Sequence, residues 1–337
     1  MKILLILTGG TIACKIENNT LNTTSDTAYD ILKLYKEKNQ DCNIEFTTVQ
    51  PFTILSENYT ADTYNKLIDF LYNCDFNGYN GVIITHGSDT LSYTSALVGM
   101  LLRAVNIPVM LTASDYPLCE PRSNGLSNFS ACVEFIKSNI SYGVFTAYGE
   151  KNNTKIYLST RICEADPLTD SFTAFGNGIV AQAVDNKICN INKDIINMIA
   201  NKNNRLFTTK PVIKNDILLI KTYPNQNFNC YNIDSVSAVV LYLYHSATAC
   251  TTGSNTNICS FIERCNRLCI PVYLASFKKT PFGYATSCEM EKYNVHKLYN
   301  ISKEGAYIKA LLAYNQTENS AEDIMNTNIY FESNISE

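Results

Sequence analysis

Apolar positions in the first half of the chain fall into two alternating patterns. Leu4–Leu7, Asn43–Val49, Val82–Thr85, Ile107–Thr112 and Tyr142–Tyr148 are short runs that read as strands. Val82–Thr85 is continuously apolar, as expected of a strand buried on both faces. Between these runs the spacing is helical. Ser25 can cap a helix with Ala28, Ile31, Leu32 and Tyr35 on one side, and Thr60 one with Leu67, Ile68 and Leu71. A third helix starts at Asp89, whose carboxylate suits the positive end of the helix dipole, and runs to about Ala104. A fourth covers Asn128–Asn139. Strands alternating with helices predict a mostly parallel sheet covered on both sides.

From residue 186 to 214 the chain turns polar and asparagine-rich, with a short helix near Ile195–Ile199. Beyond it, Ile217–Thr222, Val236–Tyr244 and Ile270–Ala275 are strand-like, and Ile258–Leu268 and Glu304–Tyr314 are helical. The pattern predicts two α/β domains. A larger N-terminal domain spans residues 1–190, a linker 191–213, and a smaller parallel-sheet domain 214–337. No repeat, low-complexity tract or heptad run interrupts it.

Composition narrows the function. The 337 residues are 46% hydrophobic and 17% charged, as in a globular protein. A formal charge of −4 and a pI near 5.5 argue against a nucleic-acid partner. No apolar run approaches the ~20 residues that span a bilayer, so no membrane partner is expected. The apolar start is too short for a signal peptide and has no small-residue cleavage site, so it reads as a buried first strand. Thirteen cysteines, an odd number without a Cys-x-x-Cys pair, suggest free thiols in the cytoplasm. His86, His245 and His296 are too far apart to suggest a zinc site.

Two turns carry candidate chemistry. Thr8-Gly9-Gly10-Thr11-Ile12 follows the first strand, and His86-Gly87-Ser88-Asp89-Thr90 follows Val82–Thr85. Both lie at carboxyl ends of strands, where open α/β sheets bind ligands. Glycines let backbone amides approach a small ligand, which Thr11 would face. The first turn lacks Gly-x-Gly-x-x-Gly and the P-loop lysine, which sets a nucleotide aside. It also fits an ordinary tight turn. Ser88 and Asp89 pair a hydroxyl with a carboxylate, suited to a proton relay or to holding an ammonium group. The same pair suits plain helix capping. His86 reads as structural rather than as a base.

These turns resemble the bacterial-type L-asparaginase/glutaminase family, in particular its cytoplasmic, type I-like branch. The family's Thr-Gly-Gly-Thr-Ile is Thr8–Ile12, and its His-Gly-Thr-Asp-Thr appears as His86–Thr90. Leu91–Leu97, Pro108–Ser114, Pro117–Gly125 and Gly283–Thr286 match as well, so the resemblance spans nearly the whole chain. It implies a larger and a smaller α/β domain, assembled as a homodimer or homotetramer. It also implies hydrolysis of a small amino-acid amide to a carboxylate and ammonia, with no metal or organic cofactor. Thr11 would be the nucleophile, and Ser88 would stand for the second catalytic threonine. Asp89 would bind the substrate α-amino group. Ser56 and Glu57 would lie on the loop holding its α-carboxylate and α-amino ends, and Ala113 would offer a carbonyl to the amide nitrogen.

Three departures matter. Serine at 88 keeps the hydroxyl but frees the rotamer. In Thr160–Asp166, Glu164 stands where the resemblance places a catalytic lysine. Next to Asp89 it would be one of two close acids, and a protonated Glu164 would relay a proton from Ser88. With an insertion in the alignment, Glu164 becomes a plain surface residue. The lid stretch Lys15–Asn22 lacks the family's tyrosine, leaving Thr20 to supply a hydroxyl. The leading expectation is hydrolysis of free asparagine, with glutamine a weaker substrate. The oxyanion would be held by amides of the glycine turn. The alternative is a catalytically silent relative that binds an amino acid. An amidotransferase component that takes ammonia from glutamine for tRNA charging also resembles the family, and would carry an extra N-terminal domain.

Overall fold

A computed structural model describes residues 1–17, 20–23, 29–39, 43–201, 205–278 and 282–334, with backbone alone between 15 and 23. The chain divides into two compact units, Met1–Lys210 and Pro211–Glu337.

In chain order the first unit holds β1 (Lys2–Leu7), β2 (Cys14–Glu17), β3 (Thr20–Thr23), β4 (Glu45–Val49), β5 (Gly81–Thr85), β6 (Pro108–Thr112), β7 (Gly143–Glu150), β8 (Asn153–Leu158), β9 (Ile179–Val184) and β10 (Lys187–Cys189). Eight of them form one sheet in the order β10-β9-β8-β7-β6-β5-β1-β4, and β2 and β3 form a separate hairpin. Pairing is parallel from β4 through β7. It is antiparallel from β7 to β10. The sheet is therefore mixed, with an antiparallel flank that the strand–helix alternation did not predict. One signal for it is Asp185-Asn186, both at positive φ (47° and 61°) in the two-residue turn between β9 and β10. Short polar side chains of this kind favour the primed hairpin turns.

Every residue of β5 and β6 is buried, as their continuous apolar pattern requires. The helices are α1 (Asp30–Lys38), α2 (Ala61–Asn73), α3 (Leu91–Leu101), α4 (Gly125–Ser138) and α5 (Lys193–Ala200). Tyr35 of α1, Phe46 of β4 and Phe129 of α4 form an aromatic cluster with centroids 5.3 to 6.0 Å apart. Such contacts add about 0.5–1.5 kcal/mol each beyond burial and seat β4 at the sheet edge. Thr60 occupies the α2 cap position but caps no amide. Its hydroxyl lies 3.4 Å from that of Thr63. The expected cap at Ser25 falls outside the described residues.

The second unit holds β11 (Asp216–Lys221), β12 (Val236–Tyr242), β13 (Val272–Phe277) and β14 (His296–Tyr299) in one parallel sheet of that order. Its helices are α6 (Ile258–Arg267), α7 (Ala285–Met290), α8 (Lys303–Ala313) and α9 (Ala321–Asn326). Val239, Leu241, Ile262, Val272 and Leu274 anchor its core. Asn257, Ser302 and Ser320 cap α6, α8 and α9. The parallel sheet agrees with expectation, whereas β14, α7 and α9 were not anticipated. Among the described residues no helix is long and apolar enough to cross a membrane.

Candidate functional site

Six of the seven candidate residues follow four neighbouring parallel strands at their carboxyl ends, in the spatial order β4, β1, β5, β6, whereas Glu164 lies in the loop between β8 and β9. Leu7 pairs with Thr85, so the β1 and β5 exits lie side by side. Thr8 donates from its amide (3.3 Å) and its hydroxyl (2.7 Å) to the Thr85 carbonyl. The His86 amide donates to Thr112 at 2.8 Å, which draws in the β6 exit and Ala113. On the other side Ile54 donates to the Thr8 carbonyl at 3.1 Å and accepts from the Gly10 amide at 3.0 Å. The Ser56–Glu57 segment after β4 is thereby held beside the first turn.

The two glycine turns touch. Gly10 sits at φ 79°, a left-handed conformation that favours glycine, and a Cβ there would overlap the backbone of His86 and Gly87. A Cβ on Gly87 would in turn overlap the Ser56 side chain. Ser56 is buried, at 2% exposure, so this contact is closed.

The hydroxyls sort into two classes. Thr8 is tied to Thr85, and the Thr90 hydroxyl donates to the Ser56 carbonyl at 3.0 Å. Thr11 opens a short 3-10 turn, Thr11–Ala13, and is half-buried, as is Ser88. Among the described residues neither the Thr11 nor the Ser88 hydroxyl has a hydrogen-bond partner. The cap position of α3 belongs to Thr90, without a side-chain cap bond. Ser88 and Asp89 are therefore not the cap, and both remain available for chemistry.

Asp89 was expected beside Glu164, but the acid that meets it is Glu57. Burial comes first, then the charge of Glu57 and a hydrogen bond with it, and together they push the Asp89 carboxyl above its ordinary value. Below the unfolded aspartate pKa both states are protonated and nothing is lost. As pH rises through the raised folded value, the folded chain ionises against these effects, and the cost is complete above it. Asp89→Asn is expected to raise the melting temperature by about 1 °C at pH 7, the scale of an exposed charge pair, with no gain near pH 3. Thermal melts at the two pH values check this. Glu164 is exposed and accepts the Tyr93 hydroxyl at 2.6 Å.

Other groups are excluded from reactive roles. Burial holds His86 at a pKa of about 4, so the ring is neutral at pH 7. Its Nδ1 donates to the Gly87 carbonyl at 2.8 Å, and its ring lies 4.8 Å from that of Tyr59. It acts as structure. Burial, and then the Glu57 charge, push the Cys14 thiol up to about 11. Cys14 therefore stays protonated, donating to the Gly10 carbonyl at 3.3 Å. The fully buried Ala113 accepts Asn128 Nδ2 on its carbonyl at 3.0 Å, which leaves its second lone pair. The Gly10 amide is spent on Ile54, so it cannot serve an oxyanion as expected of the glycine turn. Among the described residues no cluster of three His, Cys, Asp or Glu side chains could hold a metal.

In the second unit, Tyr244–Cys250 and Gly283–Thr286 meet around one cleft of about 800 Å³, where His245 and Ser246 face Gly283 and Tyr284. The expected lid hydroxyl of Thr20 lies outside the described side chains. Sequence reasoning missed Tyr93. Its hydrogen bond to Glu164 joins residues 71 apart in the chain, which no local pattern encodes.

The family model described as Asparaginase, N-terminal, matches residues 2–196. A component of the glutamyl-tRNA(Gln) amidotransferase from Methanosphaera stadtmanae is 27% identical over 338 residues, covering 96% of this chain and 75% of that protein. An L-asparaginase from Thermococcus kodakarensis is 33% identical over 181 residues, which is 50% of this chain and 49% of that protein. The solved structure of the thermostable L-asparaginase from Thermococcus kodakarensis shares the fold, with a TM-score of 0.74 at 20% identity over 100% of both chains. L-asparaginase I from Vibrio cholerae likewise gives 0.74 at 18% identity over 99% of both chains. Four strand exits built around two touching glycine turns lie within the matched segment, and by that match the chain belongs to the asparaginase family.

Proposed function

We propose that this chain hydrolyses the side-chain amide of free L-asparagine, giving L-aspartate and ammonia, with Thr11 as nucleophile. The reading rests on one observation. The Gly10–Gly87 contact sets Thr11 and Ser88, whose hydroxyls meet no partner among the described residues, on touching turns. Thr11 Oγ1 attacks the amide carbon, and the C–N bond breaks as nitrogen leaves with a proton as ammonia. Water then cleaves the acyl ester, releasing aspartate and restoring Thr11. The amides of Thr11 and Ser88 are the donors left for the developing oxyanion. Asp89 and Glu57 take the substrate α-amino group. Their shared excess of negative charge favours a ligand that brings an ammonium. Ser56 holds the carboxylate end, and the free lone pair of Ala113 takes the amide N–H. The protein works in the cytoplasm as a homodimer or homotetramer.

The test is ammonia release by the purified chain from asparagine and from glutamine, beside calorimetric binding of both. Release from asparagine at the higher kcat/KM is the expected result. Binding without ammonia would support a silent amino-acid binder instead. A second reading is favoured by the 27% identity to the amidotransferase component over 96% of this chain. It makes the chain a glutamine-cleaving partner that supplies ammonia for glutamyl-tRNA(Gln). Preference for glutamine in the same assay would select it.

A further inference from the structure

We propose that Asn128 is a positioning residue for amide cleavage, its side chain aiming the Ala113 carbonyl at the nitrogen that leaves. The inference deepens the asparaginase reading above and rests on it. The paired register of β6 and β7 ends where Thr112 stands opposite Ala147. Just past that point, a side chain joins the two segments. Asn128 of α4 is fully buried, and its Nδ2 donates to the Ala113 carbonyl at 3.0 Å. Its Oδ1 accepts the amide of Gly149 on β7 and the hydroxyl of Thr154 on β8, each at 3.1 Å.

The neighbours decide which way this amide faces. A backbone N–H can only donate, so Gly149 meets Oδ1. A carbonyl can only accept, so Ala113 meets Nδ2. Turned over, the side chain would set oxygen on oxygen and N–H on N–H. Asn124, one turn back, braces the same two segments. Its Nδ2 donates to the Gly149 carbonyl at 2.8 Å, and its Oδ1 accepts the Asp115 amide at 3.0 Å. The chain on both sides of the Ala113–Ser114 peptide is thereby fastened to Gly149.

This arrangement has a task at the leaving group. One lone pair of the Ala113 carbonyl is held by Asn128, which fixes the direction of the other. As the C–N bond breaks, the nitrogen takes a proton and gains positive character. A carbonyl dipole aimed at it then stabilises the transition state more than the bound amide, so its effect falls on kcat. Asn128 acts only through Ala113.

The experiment pairs asparagine with L-aspartate β-methyl ester, whose leaving oxygen carries no N–H. Aspartate formation reads both reactions. Asn128→Ala should lower kcat for asparagine by about ten- to a hundredfold, the scale of a misplaced group. Its kcat for the ester should stay within about threefold of wild type. Thr154→Val removes only one donor to Oδ1 and keeps the side-chain shape, which guards against poor folding of the first variant. It should slow asparagine by about three- to tenfold, the net worth of one hydrogen bond, and spare the ester. The amide-to-ester ratio of kcat, taken on one preparation, cancels any misfolded fraction. A merely structural role would leave that ratio at its wild-type value. An unchanged ratio in Asn128→Ala, or in Thr154→Val where the first does not fold, overturns the inference alone. Should the wild type prefer glutamine, glutamine and its γ-methyl ester take the same places. A wild-type chain that cleaves neither amide overturns the function reading and the inference together.

Discussion

Thr11→Val is expected to lower ammonia release from asparagine by at least about a thousandfold while leaving the chain folded. Valine keeps the β-branched shape and the χ1 preference of threonine, so the 3-10 turn at Thr11–Ala13 should persist. The Thr11 hydroxyl meets no partner among the described residues, so its loss should shift stability by less than about 0.5 kcal/mol. Thr8→Val supplies the contrast. That hydroxyl is buried and donates to Thr85 at 2.7 Å. Its removal should cost about 1 kcal/mol of stability, the net worth of a buried hydrogen bond. Thermal melts and a coupled ammonia assay on both variants separate the two threonines. A Thr11→Val enzyme that retains more than about a tenth of wild-type turnover would exclude Thr11 as nucleophile.

That contrast also marks how far the sequence could be read. Thr8 and Thr11 stand three residues apart in one motif and share one chemistry. Only the parallel register of β1 on β5, Leu7 against Thr85, decides which hydroxyl is consumed by the fold. The same holds for Thr90 and Ser88. Capping statistics favour Ser88 and Asp89, yet the Ser56 carbonyl lies where Thr90 reaches it and Thr90 takes the cap position. Asp89 is a third instance. The neighbouring acid in space is Glu57, from the loop after β4, and not Glu164, which Tyr93 holds. Long-range pairing made these choices, and no local pattern encodes it.

The strands were legible for the opposite reason. β1, β5 and β6 are buried along nearly their whole length, so their apolar runs carry the signal themselves. The flank β8–β10 mixes exposed and buried positions in short strands such as Lys187–Cys189, which local composition identifies poorly. α7 and α9 are six residues each, below the length at which helical spacing can be counted.

The second large effect is expected far from the candidate site, at Lys309→Met in the second unit. Lys309 of α8 and Glu332 are 4% and 0% exposed, with Nζ 3.0 Å from Oε1. The pair is well supplied with hydrogen bonds. Glu332 accepts the amides of Ile329 (2.9 Å) and Tyr330 (2.8 Å), and Lys309 also donates to the Thr327 carbonyl at 2.5 Å. Burial alone would push the Glu332 carboxyl up. The Lys309 charge and the two amides outweigh it and hold the group below its ordinary value. The bridge therefore fastens the Thr327–Glu332 segment to α8. Removing the cation leaves a buried carboxylate unpaired, which costs about 3–5 kcal/mol. In a chain of this size that lowers the melting temperature by roughly 10 °C.

The pH dependence fixes the sign. In wild type, Glu332 contributes stability above the unfolded glutamate pKa, and this is lost as pH falls through the depressed folded value. In Lys309→Met the carboxyl loses its main stabiliser, and its folded value should rise above the unfolded one. The variant should then be relatively least unstable in mild acid, and its deficit against wild type should shrink from pH 7 to pH 5. Adding Glu332→Gln should recover part of the loss at pH 7, since the amide oxygen still accepts a backbone N–H and no charge is buried. Calorimetry of the two variants at pH 5 and pH 7 decides it. A deficit under about 1 kcal/mol, or one that grows on acidification, would mean that the bridge does not hold the C-terminal segment.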